Sequence, residues 1–377
     1  MDLTLPASAS ELRQAADRFR EEVLVPAEPL LPPAEGPLPS GLEAESARRR
    51  RELGLWGMSV PQALGGRGLG WLSQVLVQER LQRSPVGMWG YGLSAAGEPP
   101  APLWAATGTQ RERFLAPCLA GRTIAHQLVL PAPGAQGSSP TATPSGDAIV
   151  LDGARTAVPA FQTEGLLVVV AWMQGQRLAL VCDRDLEGYR IEHRRPGMGA
   201  VELVDIRWEG CRVGPDRTLP DAGPAADAWQ ARQRVGAIAA GALGAAAFCV
   251  ELGLEHARRR QTFGRPLADR QAIQWMLADA ARDLHGARLL VYRAAQLADG
   301  GQLADAVELA GPAKAHATDV ACRIVDRMLQ IHGGYGYTRD LPLERFWREL
   351  RFYRFAEGDN DAILASAAGG LLTALDA

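Results

Sequence analysis

A block of short β-branched segments interrupts two long helical stretches, and this order limits the possible folds more than any other feature of the chain. From about Gly121 the runs IAHQLVL, AIVLDG, LLVVVAW, RLALVC, YRIEH and VELVDIRW alternate with turn-rich stretches such as PAPGAQGSSPTATPSGD. Short strands at regular spacing predict a β domain of roughly a hundred residues. Before it, Leu12, Ala15, Ala16, Phe19 and Val23 recur at helical spacing, and further helical stretches are expected from Leu42 to Leu53 and from Leu72 to Leu81. After about Pro224 the chain turns Ala/Leu-rich and helical again. The expectation is an α+β multidomain protein: a helical domain over 1–121, a β domain over 122–223 and a helical domain over 224–377.

Charge narrows the function. The net charge is −3 with 22% charged residues, without the basic surplus that a phosphate backbone requires, so no nucleic-acid partner is expected. All but one of the 40 Lys and Arg residues are arginine. Lys314 is that exception, which rules out a GK[ST] phosphate loop and leaves it alone for any Schiff-base chemistry. The glycine-rich LGGRGLG at 64–70 lacks the GxGxxG spacing and reads as a tight loop. Five cysteines without CxxC spacing fit a reducing compartment and no structural zinc. The polar N-terminal segment does not read as a signal peptide, and no uncharged apolar run suggests a membrane span, so a cytoplasmic location is expected.

The segment QIHGGYGYTRDLPLERFWRELRFYRFAEGDND, from Gln330 to Asp361, holds a double-glycine turn, interleaved aromatic and basic residues, and Glu357 just before Gly358. An acid beside a glycine, preceded by apolar Phe355 and Ala356, is placed to act as a partly desolvated base that a substrate can approach closely. The same four residues, Glu-Gly-Asp-Asn, also suit an ordinary surface turn after a helix.

Longer segments decide between these readings. ELGLWGMSVPQALGGRGLG, GTQRERFLAPCLAG, RRRQTFGRPLADRQAIQWMLADA and the Gln330–Asp361 segment, in this order, resemble the acyl-CoA dehydrogenase family over nearly the whole chain. The resemblance implies a helical N-terminal domain, a β-barrel-like middle domain and a C-terminal four-helix bundle. It also implies a flavoenzyme using FAD to oxidise an acyl-CoA, or an acyl thioester on a carrier protein, to the α,β-enoyl thioester. By the same resemblance Glu357 is the base for the α-proton, with Gly358 beside the substrate. Arg260 corresponds to an arginine reaching the FAD pyrophosphate of a neighbouring subunit, which a guanidinium fork suits well. Phe263, Gln271, Gln330, Gly333, Gly334 and Asp359 correspond to other cofactor positions. An electron-transfer flavoprotein as electron acceptor and a homodimer or homotetramer are implied as well.

Some family branches carry the base on the first long C-terminal helix. Here that stretch, WQARQRVGAIAAGALG, offers no acid, and Arg234 lies near the position, which makes it a candidate substrate contact. Val235 stands where an arginine is usual, with Arg234 or Arg232 as substitutes. The β domain departs further. Val129 and Leu130 replace a threonine and a glutamate in VLPAPGAQ, and Ala157, Val158 and Pro159 occupy a segment that normally supplies donors to the flavin ring. Asp359 replaces a threonine facing the cofactor, at an electrostatic cost unless Arg260 or a turn amide offsets it. Two other outcomes fit these departures: a non-enzymatic scaffold subunit, or a flavoenzyme with oxygen-using chemistry.

Overall fold

A computed structural model describes residues 5, 8–31, 41–88, 98–130, 140–219 and 222–375. Its contacts gather the chain into two units: residues 1–55, 70–94 and 231–377 in the first, and 56–69 and 95–230 in the second. The three-part division by sequence texture follows composition, whereas these units follow packing, so 70–94 joins the C-terminal helices and 56–69 joins the β segment.

The first unit is helical. It holds α1 (Ala9–Phe19), α2 (Leu42–Glu52) and α3 (Trp71–Leu81). Helix α4, whose residues up to 230 belong to the second unit, starts at Ala222–Gln233, passes through a π-helical turn at Arg234–Ala239 and continues over Ala240–Arg259. A short hairpin of Gln261–Thr262 with Arg265–Pro266 follows, then α5 (Gln271–Asp299), α6 (Leu303–His332), α7 (Leu343–Tyr353) and α8 (Asn360–Leu375). Helices α3 to α6 pack on one another, and α6 also contacts α7 and α8.

Small residues set how closely α3 and α4 approach. At Gly244 an added Cβ would collide with the main-chain carbonyl of Glu79, so only glycine keeps this separation. Polar side chains then fix the register: Gln82 Nε2 donates to Ala237 O at 3.0 Å, and Tyr353 OH donates to Gln82 Oε1 at 2.5 Å. At the head of α3, Asp299 accepts from the Trp71 and Leu72 amides at 2.6 and 3.1 Å, the partnership a helix N-terminus needs.

Against the expectation of no such run, α4 is apolar and long enough to cross a membrane by composition. Some 78% of its apolar window is buried inside the protein, so packing against neighbouring helices accounts for that character.

The second unit holds two four-stranded sheets rather than one closed barrel. Strands β1 (Ala125–Val129), β4 (Leu166–Met173), β5 (Gln176–Cys182) and β8 (Thr218–Leu219) form one, in the order β1-β4-β5-β8. Strands β2 (Thr141–Ser145), β3 (Ala148–Pro159), β7 (Leu203–Val213) and β6 (Tyr189–Arg195) form the other, fully antiparallel, in the order β2-β3-β7-β6. β1 runs parallel to β4, with Ala125 opposite Leu166. Leu167, Val169 and Leu180 of the first sheet share a core with Leu151, Val204, Ile206 and Trp208 of the second. Val168, Val170 and Val181, on the opposite face, pack on Leu103, Phe114 and Leu115. Burial on both faces explains why LLVVVA reads as a continuous apolar run rather than an alternating one. The LGGRGLG stretch is a tight loop: the amides of Gly68 and Leu69 donate to Val60 O and Met58 O at 2.8 and 2.7 Å.

Candidate active site

Glu357 lies in the short connection between α7 and α8. The Phe355 and Ala356 amides both turn back to Phe352 O. Glu357 then takes a left-handed conformation, φ +53°, and Gly358 follows at φ +113°. A non-glycine residue with positive φ costs on the order of 1 kcal/mol or more and persists only when its surroundings enforce it.

Two cations enforce it through main-chain oxygens. Arg234, on the π-helical turn of α4, donates from Nε to Glu357 O at 2.7 Å. Lys314, fully buried on α6, donates from Nζ to Gly358 O at 2.6 Å, Asn360 Oδ1 at 2.9 Å and Arg354 O at 3.1 Å. Asn360 is anchored in turn, its Nδ2 donating to Ala315 O, Thr318 Oγ1 and Asp319 Oδ1. Burial foremost, with the Arg234 guanidinium adding to it, pushes the Lys314 ammonium down to about 7. The carboxylates of Glu357, Asp359 and Asp319 pull the other way.

Asp359 has a local role. Its Oδ1 accepts from the Asp361 and Ala362 amides at 3.0 and 3.1 Å, capping the start of α8. The turn amides thus offset its charge. Arg234, Glu357 and Gly358 lie together, and Gly358 leaves little room: an added Cβ would lie 3.0 Å from Arg234 Nη2 and 3.3 Å from Ile363 Cδ1. Arg232, the other possible substitute, is engaged elsewhere, donating from Nε to Gln74 Oε1 at 2.7 Å. Val235 is buried.

The expected cofactor residues occupy two neighbouring places. Arg260, Phe263 and Gln271 sit on the hairpin after α4 and at the start of α5, all exposed, with Phe263 96% exposed. Gln330, Gly333 and Gly334 sit at the end of α6, also exposed. The ring of His256 on α4 lies 4.3 Å from that of His332 on α6, which brings the two helix ends together. Among the described residues Arg260 has no carboxylate partner, and nothing within 4 Å would meet a Cβ at Gly333 or Gly334. An uncommitted guanidinium beside open glycines is a donor set that fits a pyrophosphate.

In the second unit, the flavin-ring expectation meets a different chemistry. The Leu130 amide pairs with Val170 O within the sheet. The Ala157 amide donates to Asp205 Oδ1 at 3.1 Å and Val158 is buried, so residues 157–159 offer apolar contact and no side-chain donor. The remainder of VLPAPGAQ, residues 131–136, lies outside the described residues.

Residue-type reasoning weighed Lys314 only for Schiff-base chemistry and gave it no place at the Glu357 loop. Its signal was present: it is the only lysine, and it lies on the helix face lined by Ala310, Ala313, Ala317 and Ala321.

Comparison with known proteins gives a consistent result. The family models "Acyl-CoA dehydrogenase, N-terminal domain" and "Acyl-CoA dehydrogenase, C-terminal domain" match residues 6–122 and 230–372. The chain is similar to 3-(aryl)acrylate reductase of Clostridium sporogenes, 31% identical over 376 residues, 96% of this chain and 97% of that protein. It is also similar to the caffeyl-CoA reductase-Etf complex subunit CarC of Acetobacterium woodii, 31% identical over 85% of this chain and 88% of that one. The solved butyryl-CoA dehydrogenase of Megasphaera elsdenii superposes with a TM-score of 0.81 at 25% identity, covering 99% of this chain and 100% of that chain.

Proposed function

This chain belongs to the acyl-CoA dehydrogenase family, an oxidoreductase family acting on CH–CH bonds whose members are flavoproteins, and from that premise we propose that it uses FAD to oxidise an acyl-CoA to its α,β-enoyl thioester, with Glu357 as the base. The observation that carries the reading is the capture of the Glu357 loop by Arg234 and Lys314 through main-chain oxygens. Both cations hold the loop through oxygens other than the Glu357 carboxylate in these bonds, while fixing the backbone that carries it. Such fixed placement is what a weak base needs to remove a weakly acidic α-proton.

Arg260 would hold the pyrophosphate of FAD, with Gly333 and Gly334 leaving room beside it and Phe263, Gln271 and Gln330 nearby on the same exposed helix ends. FAD, when bound, supplies the two-electron acceptor for the β-hydride. The Glu357 carboxylate takes the α-proton and returns it when the reaction runs toward reduction, the direction named for the two relatives above. Gly358 keeps the backbone next to the base free of a side chain. Phe263, Trp275 and Tyr337 are 96, 62 and 90% exposed, which supports a homodimer or homotetramer that would cover them. An electron-transfer flavoprotein is proposed as the acceptor, on the strength of the Etf complex in which one relative is named.

The test uses the purified full-length protein. It should show a flavin spectrum that bleaches anaerobically with a straight-chain acyl-CoA, butyryl-CoA first. Glu357→Gln should keep the flavin and lose the bleaching; bleaching at the wild-type rate in that variant would remove Glu357 as the base.

A further inference from the structure

Of the 40 lysine and arginine residues all but one are arginine, and the exception is buried against the loop that carries the proposed base. We propose that Lys314 is a positioning residue for catalysis: its ammonium, by gathering Arg354 O, Gly358 O and Asn360 Oδ1 onto one nitrogen, holds the Arg354–Asn360 loop in the turn that presents Glu357. The inference rests on Glu357 being the base.

Three features support it. First, the three acceptors lie at 3.1, 2.6 and 2.9 Å from a single atom and come from both sides of Glu357 in sequence. A compact ammonium with three donors can meet such a set, whereas a planar guanidinium fork spreads its donors over several atoms. That distinction accounts for a lysine here in a chain that otherwise uses arginine. Second, Glu357 adopts a positive φ of 53°, which a non-glycine residue holds only when its surroundings enforce it, while Gly358 reaches φ 113° at no steric cost. Third, Lys314 is fully buried on α6 and linked through Asn360 to Thr318 and Asp319 one turn along the same helix, so the loop is tied to a rigid element.

Protonation controls the clamp. An ammonium satisfies three acceptors; a neutral amine has two N–H groups and a lone pair, so one of the three oxygens would then face a lone pair. The charged groups around Lys314 are Arg234 on α4, Asp319 on α6, and Glu357 and Asp359 on the loop, with Arg354 paired to Asp319 at 2.6 Å. Burial and Arg234 outweigh the three carboxylates and bring the ammonium to about 7. The clamp is therefore complete below neutral pH and loosens above it.

The experiment compares the full-length wild type with Lys314→Met, Lys314→Arg, Asn360→Ala and Glu357→Gln. Turnover of butyryl-CoA is measured with a dye acceptor, alongside flavin content and hydrogen exchange of residues 354–360. Lys314→Met should lower kcat on the order of 10²-fold, the cost of a base displaced by about 1 Å, with KM changed less than about threefold and flavin content kept. Hydrogen exchange at the Asn360 amide, which donates to Arg354 O, should rise at least about tenfold even without substrate. Wild-type kcat should decline above neutral pH; Lys314→Arg, always charged, should lose that decline while turning over more slowly. Asn360→Ala, which removes one acceptor and keeps the lysine, should move the decline to lower pH and serves if Lys314→Met does not fold. Wild-type kcat and exchange in Lys314→Met, or an unmoved pH decline in Lys314→Arg or Asn360→Ala, would overturn the proposal. Failure of the base assignment is separate, since it would appear as turnover in Glu357→Gln.

Discussion

Gly358→Ala is the sharpest single probe of the loop that carries the proposed base, because its cost can be worked from two geometric quantities. The first is the backbone: φ is +113°, where an L-residue is strained on the order of 1–3 kcal/mol. The second is space: the new Cβ would sit 3.0 Å from Arg234 Nη2 and 3.3 Å from Ile363 Cδ1, so the guanidinium or the loop must give by a few tenths of an ångström. Arg234 is the group that holds Glu357 O at 2.7 Å, so relief of this contact moves the proposed base. The strain thus divides between lost stability and lost alignment. At about 2–4 °C per kcal/mol, the melting temperature should fall by a few degrees, and kcat should fall on the order of 10²-fold for a displacement near 1 Å. The matched control is Gly301→Ala in the turn between α5 and α6, where φ is +82° and nothing lies within 4 Å of the new Cβ. That variant should pay about 1 kcal/mol of backbone cost and leave kcat unchanged. Thermal melts and butyryl-CoA turnover of the two variants decide the matter. A Gly358→Ala protein that matches Gly301→Ala in both would refute the claim that this glycine protects the geometry of Glu357.

Asp299→Asn removes the charge and one of the two acceptors at the head of α3, where the Trp71 and Leu72 amides now bond to the carboxylate. Denaturant unfolding should show a loss of about 1–3 kcal/mol, and no loss would mean that water replaces the cap. In the β segment, Arg195 foremost, helped by the Ala157 amide and opposed by burial, holds the Asp205 carboxyl down to about 2. A depressed carboxyl stabilises the fold above its unfolded value and loses that contribution as pH falls toward its folded one. The melting-temperature difference between wild type and Asp205→Asn should therefore shrink from about pH 4 to pH 2, and a constant difference would count against the pairing.

The readable parts of this chain were those written in local pattern. The helical–β–helical order showed in composition because strands buried on both faces, such as Leu166–Met173, are runs of β-branched and aliphatic residues. Asp359 is a local feature too. Asp-Asn-Asp-Ala at the start of a helix is a cap signal, yet at a position expected to face the cofactor it suggested an electrostatic cost; the Asp361 and Ala362 amides donate to the Asp359 carboxylate. Lys314 could not be read in this way. Its partners lie 40 to 46 residues away, and two of the three are main-chain carbonyls that carry no residue identity. Only its being the sole lysine, on an alanine-lined helix face, marked it.

The departures from family pattern and the preserved chemistry fall in different places, and this bears on what the protein does. Around Glu357 the departing positions have structural partners: Arg234 donates to Glu357 O, and Asp359 caps a helix. Two cations converge on a loop whose Glu357 holds a positive φ, and a strained residue of that kind persists only when its surroundings enforce it. Strain of that kind is maintained where geometry is used. The changes at Val129, Ala157 and Pro159 bear instead on the surroundings expected for the flavin ring, where the loss of side-chain donors acts on how the ring is held and tuned rather than on the base. Family membership supports an oxidoreductase over a scaffold subunit, and the absorption spectrum of the purified protein separates the two directly.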